Sequence, residues 1–161
     1  MPQSTAIRLP VRAAPPPSPA VVSHGLLGIP DFRFHADGRQ ERVVVAWRLV
    51  GPGGAPVVAA LGGISAGREA CDPDDPARGW WRELAGPGLP LDTRRFAVLA
   101  IDWLGGAGAS TAPGPAQEGF PAVDARDQAR ALLAVCDRLR IARLHAAVGA
   151  SYGGMVALAL A

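Results

Sequence analysis

Residues 144–161 read Leu-His-Ala-Ala-Val-Gly-Ala-Ser-Tyr-Gly-Gly-Met-Val-Ala-Leu-Ala-Leu-Ala, and this stretch decides the fold class. Its first part, 144–148, is a short apolar run that predicts a β-strand. A glycine-rich turn follows at once, and the apolar tail from residue 155 predicts a helix. A strand, a sharp turn and a helix in direct succession form the arrangement that can lift a side chain clear of a sheet edge.

The turn places Ser151 between two glycines, as Gly149-x-Ser151-x-Gly153. This is the nucleophile-elbow pattern, in which a strained backbone exposes a serine hydroxyl. Glycines are required because a side chain on either flank would collide with neighbouring backbone. The following helix points its positive end at the serine oxygen and favours developing negative charge. Ser151 is therefore the predicted nucleophile, and a Gly-Ser turn without a catalytic role is the alternative.

A nucleophilic serine that transfers acyl groups also needs an oxyanion hole. One backbone amide comes from the residue after the nucleophile, here Tyr152, and a second comes from a loop that follows an earlier strand. Leu61 closes an apolar run and precedes Gly62 and Gly63, whose small size lets the backbone approach a ligand. Leu61 and Tyr152 are the predicted oxyanion-hole residues, and an ordinary Gly-Gly turn is the alternative for the first.

Three apolar runs before the elbow predict further strands, at residues 42–50, 55–61 and 96–101. After them, Asp124 can cap a helix whose apolar positions recur at spacings of three and four and which stops near Arg140. Continuous apolar runs are typical of strands that are buried on both faces. The order predicts an α/β fold with a doubly wound, mostly parallel sheet.

Composition excludes several classes of protein. The 161 residues are 49% hydrophobic and 19% charged, but no apolar run approaches the roughly 18 residues of a membrane span, so no membrane partner is expected. The 16 basic and 14 acidic residues show no basic face, so we expect no nucleic-acid partner. Cys71 and Cys136 lack the spacing of metal ligands or of a disulfide framework, which predicts no metal site and a cytoplasmic location.

The two ends of the chain give further expectations. Residues 1–22 are rich in proline and lack acidic side chains, which predicts a flexible leader, with residues 23–161 as the N-terminal part of one domain. All three histidines precede Ser151, and no acidic residue follows it. In this arrangement the acid and the histidine come after the serine, so we expect both beyond residue 161 and a domain truncated after the elbow and the start of the next helix.

Several short blocks occur in an order shared with a known family. They are Val45-Ala46-Trp47, Ala60-Leu61-x-Gly63, Gly79-Trp80-Trp81, Gly86-Pro87-Gly88, Leu91-Asp92-Thr93, Leu104-Gly105-Gly106 and the elbow with Gly154-Met155. Over residues 42–161 the chain resembles the homoserine O-acyltransferases, which have the α/β-hydrolase fold. The positions that depart from the family pattern near the presumed site are Ala59 for His, Gly62 for Thr, Asp102 for Asn, Ala150 for Gly and Tyr152 for Met.

The resemblance implies an enzyme that moves an acyl group from acyl-CoA to the hydroxyl of homoserine in methionine biosynthesis. Ser151 would accept the acyl group, release CoA and pass the acyl group on. The donor is succinyl-CoA or acetyl-CoA and the acceptor is homoserine or serine, with succinyl-CoA and homoserine favoured. Acyl-CoA is a co-substrate, so no bound cofactor is expected, and a homodimer is expected for the full-length protein.

Two charged residues are weaker candidates for substrate binding. Arg68 follows the predicted oxyanion loop and can meet a carboxylate or a CoA phosphate, although a solvated surface arginine is the alternative. Asp102 follows a predicted strand, where ligands gather in open sheets, although capping or turn chemistry is the alternative. For the protein as a whole, an esterase of the same fold and a non-catalytic truncated interaction module also stay open, since a fold does not decide function.

Overall fold

A computed structural model describes residues 20–114 and 119–161, and within them the chain forms seven strands and two helices. The elements in chain order are β1 (Val21–Arg33), β2 (Gln40–Gly51), β3 (Val57–Leu61), β4 (Ala85–Gly86), β5 (Leu91–Asp92), β6 (Ala97–Ile101), α1 (Ala125–Arg138), β7 (Ala146–Gly149) and α2 (Tyr152–Leu160). Five strands form one sheet in the order β1-β2-β6-β3-β7, and β4 and β5 form a separate short pair.

The main sheet has an antiparallel part and a parallel part. Strand β2 runs antiparallel to both β1 and β6. Strands β6 and β7 flank β3 and run parallel to it, so the carboxyl ends of these three strands share one edge. The predicted α/β fold is confirmed, and its parallel part carries the segment around Ser151.

Strands β3 and β6 are buried along their whole length because both faces of the sheet are covered. On one face, Leu61 and Leu99 belong to a core with residues of α1 and α2. On the other face, Ala60 and Ala100 pack with Cys71 in a smaller core. Since neighbouring strand residues point to opposite faces, two covered faces require an unbroken apolar run.

Helix α1 begins as the sequence predicts. The Asp124 carboxylate accepts hydrogen bonds from the backbone amides of Arg126 and Asp127, and the Asp127 carboxylate accepts one from the Asp124 amide. This reciprocal capping box satisfies amides that have no partner within the helix. The helix ends at Arg138, and Arg140 already has a left-handed φ of 58°.

Strand β1 is the main element that the sequence interpretation missed. A Cβ at Gly25 would lie 2.9 Å from the Trp47 indole, so this glycine makes room for a large cross-strand neighbour. Pro30 lies where the register shifts between Ile29 and Phe32, and an edge strand tolerates proline at such a bulge. Both residue types weaken a strand pattern in sequence.

The first 19 residues of the predicted leader lie outside the described residues, whereas Val21 and Val22 belong to β1. Across the described ranges, no helix has the length and apolar character needed to cross a membrane.

Candidate active site

Ser151 stands between β7 and α2 with φ 54° and ψ −120°, a conformation that residues with a side chain rarely adopt. Holding such a residue costs about 1–3 kcal/mol, which the surrounding structure must offset. Ser151 is exposed, and its side chain makes no capping hydrogen bond to α2. The predicted elbow geometry is therefore present, and Ser151 is exposed rather than buried in the core.

Both glycines of the elbow are required by close packing of backbone on backbone. A Cβ at Gly149 would lie 2.2 Å from the Gly153 carbonyl oxygen, and a Cβ at Gly153 would lie 2.1 Å from the Leu61 carbonyl oxygen. No real Cβ contact is that short, so any larger residue forces the turn to open. This confirms the steric reason for the two glycines.

Backbone hydrogen bonds join the elbow to the end of β3. The Ala150 amide donates to the Leu61 carbonyl at 3.0 Å, and the Gly153 amide donates to the Gly62 carbonyl at 2.9 Å. The structure thus brings Ser151, Tyr152 and the segment starting at Leu61 to the same edge of the sheet. Their roles as nucleophile and oxyanion-hole donors stay predictions, and the geometry provides the neighbourhood that those roles need.

Two indole groups hold the loop that follows β3. The Trp80 Nε1–H donates to the Gly67 carbonyl at 2.8 Å, and the Trp103 Nε1–H donates to the Gly63 carbonyl at 3.0 Å. The Trp103 ring also contacts the Tyr152 ring edge-on, with centroids 5.6 Å apart. Sequence reasoning missed Trp103, although its position directly after a buried strand and Asp102 was a usable signal.

Gln128 is a second residue that sequence reasoning missed. It is 1% exposed, and its side chain both donates to the Leu104 carbonyl at 2.9 Å and accepts from the Leu104 amide at 3.0 Å. Burial raises the pKa of the Tyr152 phenol, and a hydrogen bond with Gln128 opposes that rise. A polar residue at a buried position of α1 is the signal that could have identified it.

Asp102 and Arg68, the weaker substrate-binding candidates, bind each other. The Asp102 carboxylate, 4% exposed as a residue, accepts from the Arg68 amide and the Ala109 amide, each at 2.8 Å, and from the Arg68 guanidinium. These bonds tie the loop after β3 to the turn after β6. In this structure both residues have a structural partner, and their contact with substrate stays a prediction.

The three histidines of the chain lie away from Ser151. His145 lies one residue before β7, at the opposite end of that strand from the elbow, with its ring 5.4 Å from Phe96. His35 pairs with Asp124 at 2.7 Å, and His24 lies on β1 at the far edge of the sheet. All three histidines precede Ser151 in the sequence, whereas the catalytic histidine of this arrangement follows the serine.

Comparison with known proteins agrees with this geometry. Residues 60–161 match the family model described as alpha/beta hydrolase fold. A homoserine O-succinyltransferase of Xanthomonas campestris pv. campestris is 41% identical over 144 residues, a match covering 89% of this chain and 36% of that protein. The chain therefore spans about a third of the length of this curated relative.

Two solved structures share the arrangement of elements. The crystal structure of a homoserine O-acetyltransferase from Bacillus anthracis aligns with a TM-score of 0.74 at 26% identity, over 86% of this chain and 42% of that one. Esterase E22 aligns with a TM-score of 0.73 at 28% identity, over 86% of this chain and 43% of that one. The expected similarity to homoserine O-acyltransferases is confirmed. Since the family match extends over more than half of the residues and includes the elbow, the chain belongs to the α/β-hydrolase fold family.

Proposed function

We propose that this protein is an acyl-CoA-dependent O-acyltransferase that acylates the hydroxyl of homoserine through an acyl-enzyme on Ser151. The observation that carries the proposal is the strained, exposed Ser151, hydrogen-bonded through its neighbours to the loop after β3. The similarity to a homoserine O-succinyltransferase and a homoserine O-acetyltransferase supports homoserine as the acceptor. Serine is the other acceptor considered, and succinyl-CoA and acetyl-CoA are the two donors.

The proposed reaction proceeds in two acyl transfers. A histidine outside residues 1–161 takes the Ser151 proton while Oγ attacks the thioester carbonyl. The tetrahedral intermediate collapses, the carbon–sulfur bond breaks, and CoA leaves with the proton as a thiol. The homoserine hydroxyl then loses its proton to the histidine and attacks the acyl-serine, and Ser151 regains a proton when the ester bond breaks. Residues 1–161 alone lack this histidine and its acid after Ser151, so we propose that they are inactive by themselves.

The oxyanion forms next to backbone amides in both steps. We assign the Tyr152 amide as one donor and place the second on the segment that starts at Leu61, where the loop after β3 meets the elbow. The amino end of α2 adds positive electrostatic potential at the same place. Losing a single donor of such a hole lowers kcat by roughly 100- to 1000-fold in serine enzymes.

The remaining parts of the proposal concern the surroundings of the reaction. Arg68 and Asp102 form an ion pair with each other, so we place them at the margin of the site. No bound cofactor is needed, since acyl-CoA is consumed as a substrate. Cys71 and Cys136 are free and buried, which supports a reducing, cytoplasmic location. A homodimer is proposed on the family resemblance.

An esterase is the second candidate function, and the similarity to esterase E22 favours it. The two functions differ in the acceptor, which is water for an esterase and an amino-acid hydroxyl for a transferase. CoA release from succinyl-CoA or acetyl-CoA is measured over many turnovers with and without homoserine. A transferase requires homoserine for sustained release, whereas a hydrolase releases CoA at the same rate in its absence.

Acyl adduct formation on Ser151 tests the proposal directly. The protein as its gene encodes it, incubated with acyl-CoA alone, should carry one acyl group on Ser151 in peptide mass spectrometry, because no acceptor removes it. Ser151→Ala should abolish the adduct and lower turnover by about 10⁴-fold or more. Ser23→Ala, at an exposed serine of the edge strand β1, is the matched control and should change neither. An adduct on another residue, or undiminished turnover in Ser151→Ala, contradicts the assignment.

A further inference from the structure

We propose that Trp103 is a positioning residue that holds both arms of the oxyanion hole in register. The first arm is the loop after β3, and the second arm is Tyr152 at the start of α2. The inference rests on the proposed function and adds a residue to it. Trp103 follows β6, is 3% exposed, and touches the loop after β3 through its nitrogen and the elbow through its ring. Among the described residues, Trp103 thus combines a hydrogen bond to the Gly63 carbonyl with a ring contact to Tyr152.

In the first arm, the Gly63 carbonyl accepts two hydrogen bonds, one from the Trp103 indole at 3.0 Å and one from the Ala66 amide at 2.9 Å. A Cβ added at Gly63 would meet no atom within 4 Å, so the space beside its Cα is open. Two successive glycines, Gly62 and Gly63, also have more backbone freedom than other residues. The Ala66 amide lies within the same loop, whereas the bond from the Trp103 Nε1–H ties that peptide group to the segment after β6.

The second arm is the residue after the nucleophile. The Tyr152 ring meets the Trp103 ring at 88° with centroids 5.6 Å apart, an edge-to-face geometry that aromatic pairs prefer. Because the Tyr152 side chain is fixed against Trp103, the first turn of α2 is fixed with it. The amide assigned to the oxyanion belongs to that turn.

Trp103 is itself held on both sides along the chain. The preceding Asp102 amide donates to the Ala46 carbonyl at 2.9 Å. The following residue, Leu104, is bonded through both its amide and its carbonyl to Gln128. A residue clamped in this way acts as a fixed reference for both arms, which is the preorganisation that oxyanion stabilisation requires.

Trp103→Phe tests the inference, because phenylalanine keeps an aromatic ring and removes the N–H donor. In the protein as its gene encodes it, with acyl-CoA and homoserine, we expect kcat to fall about tenfold and KM to stay within about twofold, since the hole acts on the transition state. Trp81→Phe is the matched control: Trp81 packs against the core on the opposite face of the sheet. Its kcat and KM should stay within about twofold of the unsubstituted values.

A boronate adduct gives a second readout. Phenylboronic acid adds to a serine Oγ as a tetrahedral anion, and Trp103→Phe should weaken its binding about tenfold, as the hole accounts for that affinity. Unchanged kcat and unchanged boronate affinity in Trp103→Phe overturn the inference and leave the proposed function intact. If the unsubstituted protein forms neither acyl-enzyme nor boronate adduct, the proposed function fails and the inference fails with it.

The unsubstituted protein provides a test that does not depend on the folding of Trp103→Phe. The Trp103 indole N–H signal can be assigned in nitrogen-edited NMR spectra by substituting the protein's other tryptophans in turn. This signal should shift when phenylboronic acid occupies the oxyanion hole, because the indole N–H donates to the Gly63 carbonyl in the loop after β3. A signal that stays in place while the adduct forms overturns the inference.

Discussion

The turn after β7 and the turn after β6 lie at the same edge of the sheet on either side of β3, yet they differ in how their polar groups are used. In the turn after β6, Asp102 is buried and its carboxylate accepts three hydrogen bonds. In the turn after β7, Ser151 is exposed, has a strained backbone and makes no capping bond. The first turn uses its polar side chain for structure, and the second leaves its own free to react.

The contrast shows how to separate structural from functional polar residues at a sheet edge. A buried carboxylate with every neighbour satisfied gains stability and has little capacity left for a ligand. A residue with a strained backbone has a conformational cost that the surrounding structure must offset, and such positions concentrate at functional sites. Substitutions at the two turns should therefore affect different measured quantities.

Gly153→Ala should lower both acylation and stability, because its Cβ would lie 2.1 Å from the Leu61 carbonyl oxygen. We expect acylation of Ser151 to fall by about 1000-fold and the free energy of unfolding to fall by about 3 kcal/mol, as for overpacking against backbone. Denaturant unfolding and the rate of acyl-enzyme formation measure the two effects. Gly154→Ala is the matched control, since its nearest contact is 3.6 Å away, and its unfolding free energy should not fall. Equal behaviour of the two variants would contradict the packing argument.

Asp102→Ala should lower the free energy of unfolding by about 3 kcal/mol, because the Arg68 and Ala109 amides lose their acceptor. At temperatures where Asp102→Ala is still folded, its KM should stay within about twofold of the unsubstituted value if the residue is structural. Asp137→Ala, at an exposed position of α1, is the control and should change stability by about 0.5 kcal/mol or less. A raised KM without loss of stability would instead assign Asp102 to the substrate.

Ser151→Gly should have the smallest effect on the free energy of unfolding, and it should be stabilising relative to Ser151→Ala. Glycine adopts the φ of 54° without strain, so Ser151→Gly should be about 1 kcal/mol more stable than Ser151→Ala while both lack acyl-enzyme. The matched pair is Ser65→Gly and Ser65→Ala, at an exposed loop position whose φ is not positive. There the glycine variant should not be the more stable one. A less stable Ser151→Gly would remove the evidence that the elbow is strained.

The amino-acid sequence by itself determined the features that depend on neighbours along the chain. The apolar runs predicted β2, β3, β6 and β7 within a few residues, and Asp124 predicted the start of α1. The glycines around Ser151 predicted the tight turn for the correct steric reason. Periodicity, capping and turn chemistry act over one to four residues, so a sequence displays them directly.

Only the tertiary structure decided which distant groups meet. Strand β1 contains glycine and proline, and it forms because Trp47 and the rest of β2 provide its partner. The bond between Trp103 and Gly63 spans 40 residues, and the pairing of Arg68 with Asp102 spans 34. A donor and an acceptor that far apart have no local pattern, because their meeting depends on strand order and packing rather than on spacing. The support around the elbow therefore became visible only in the folded chain, although the elbow itself could be predicted.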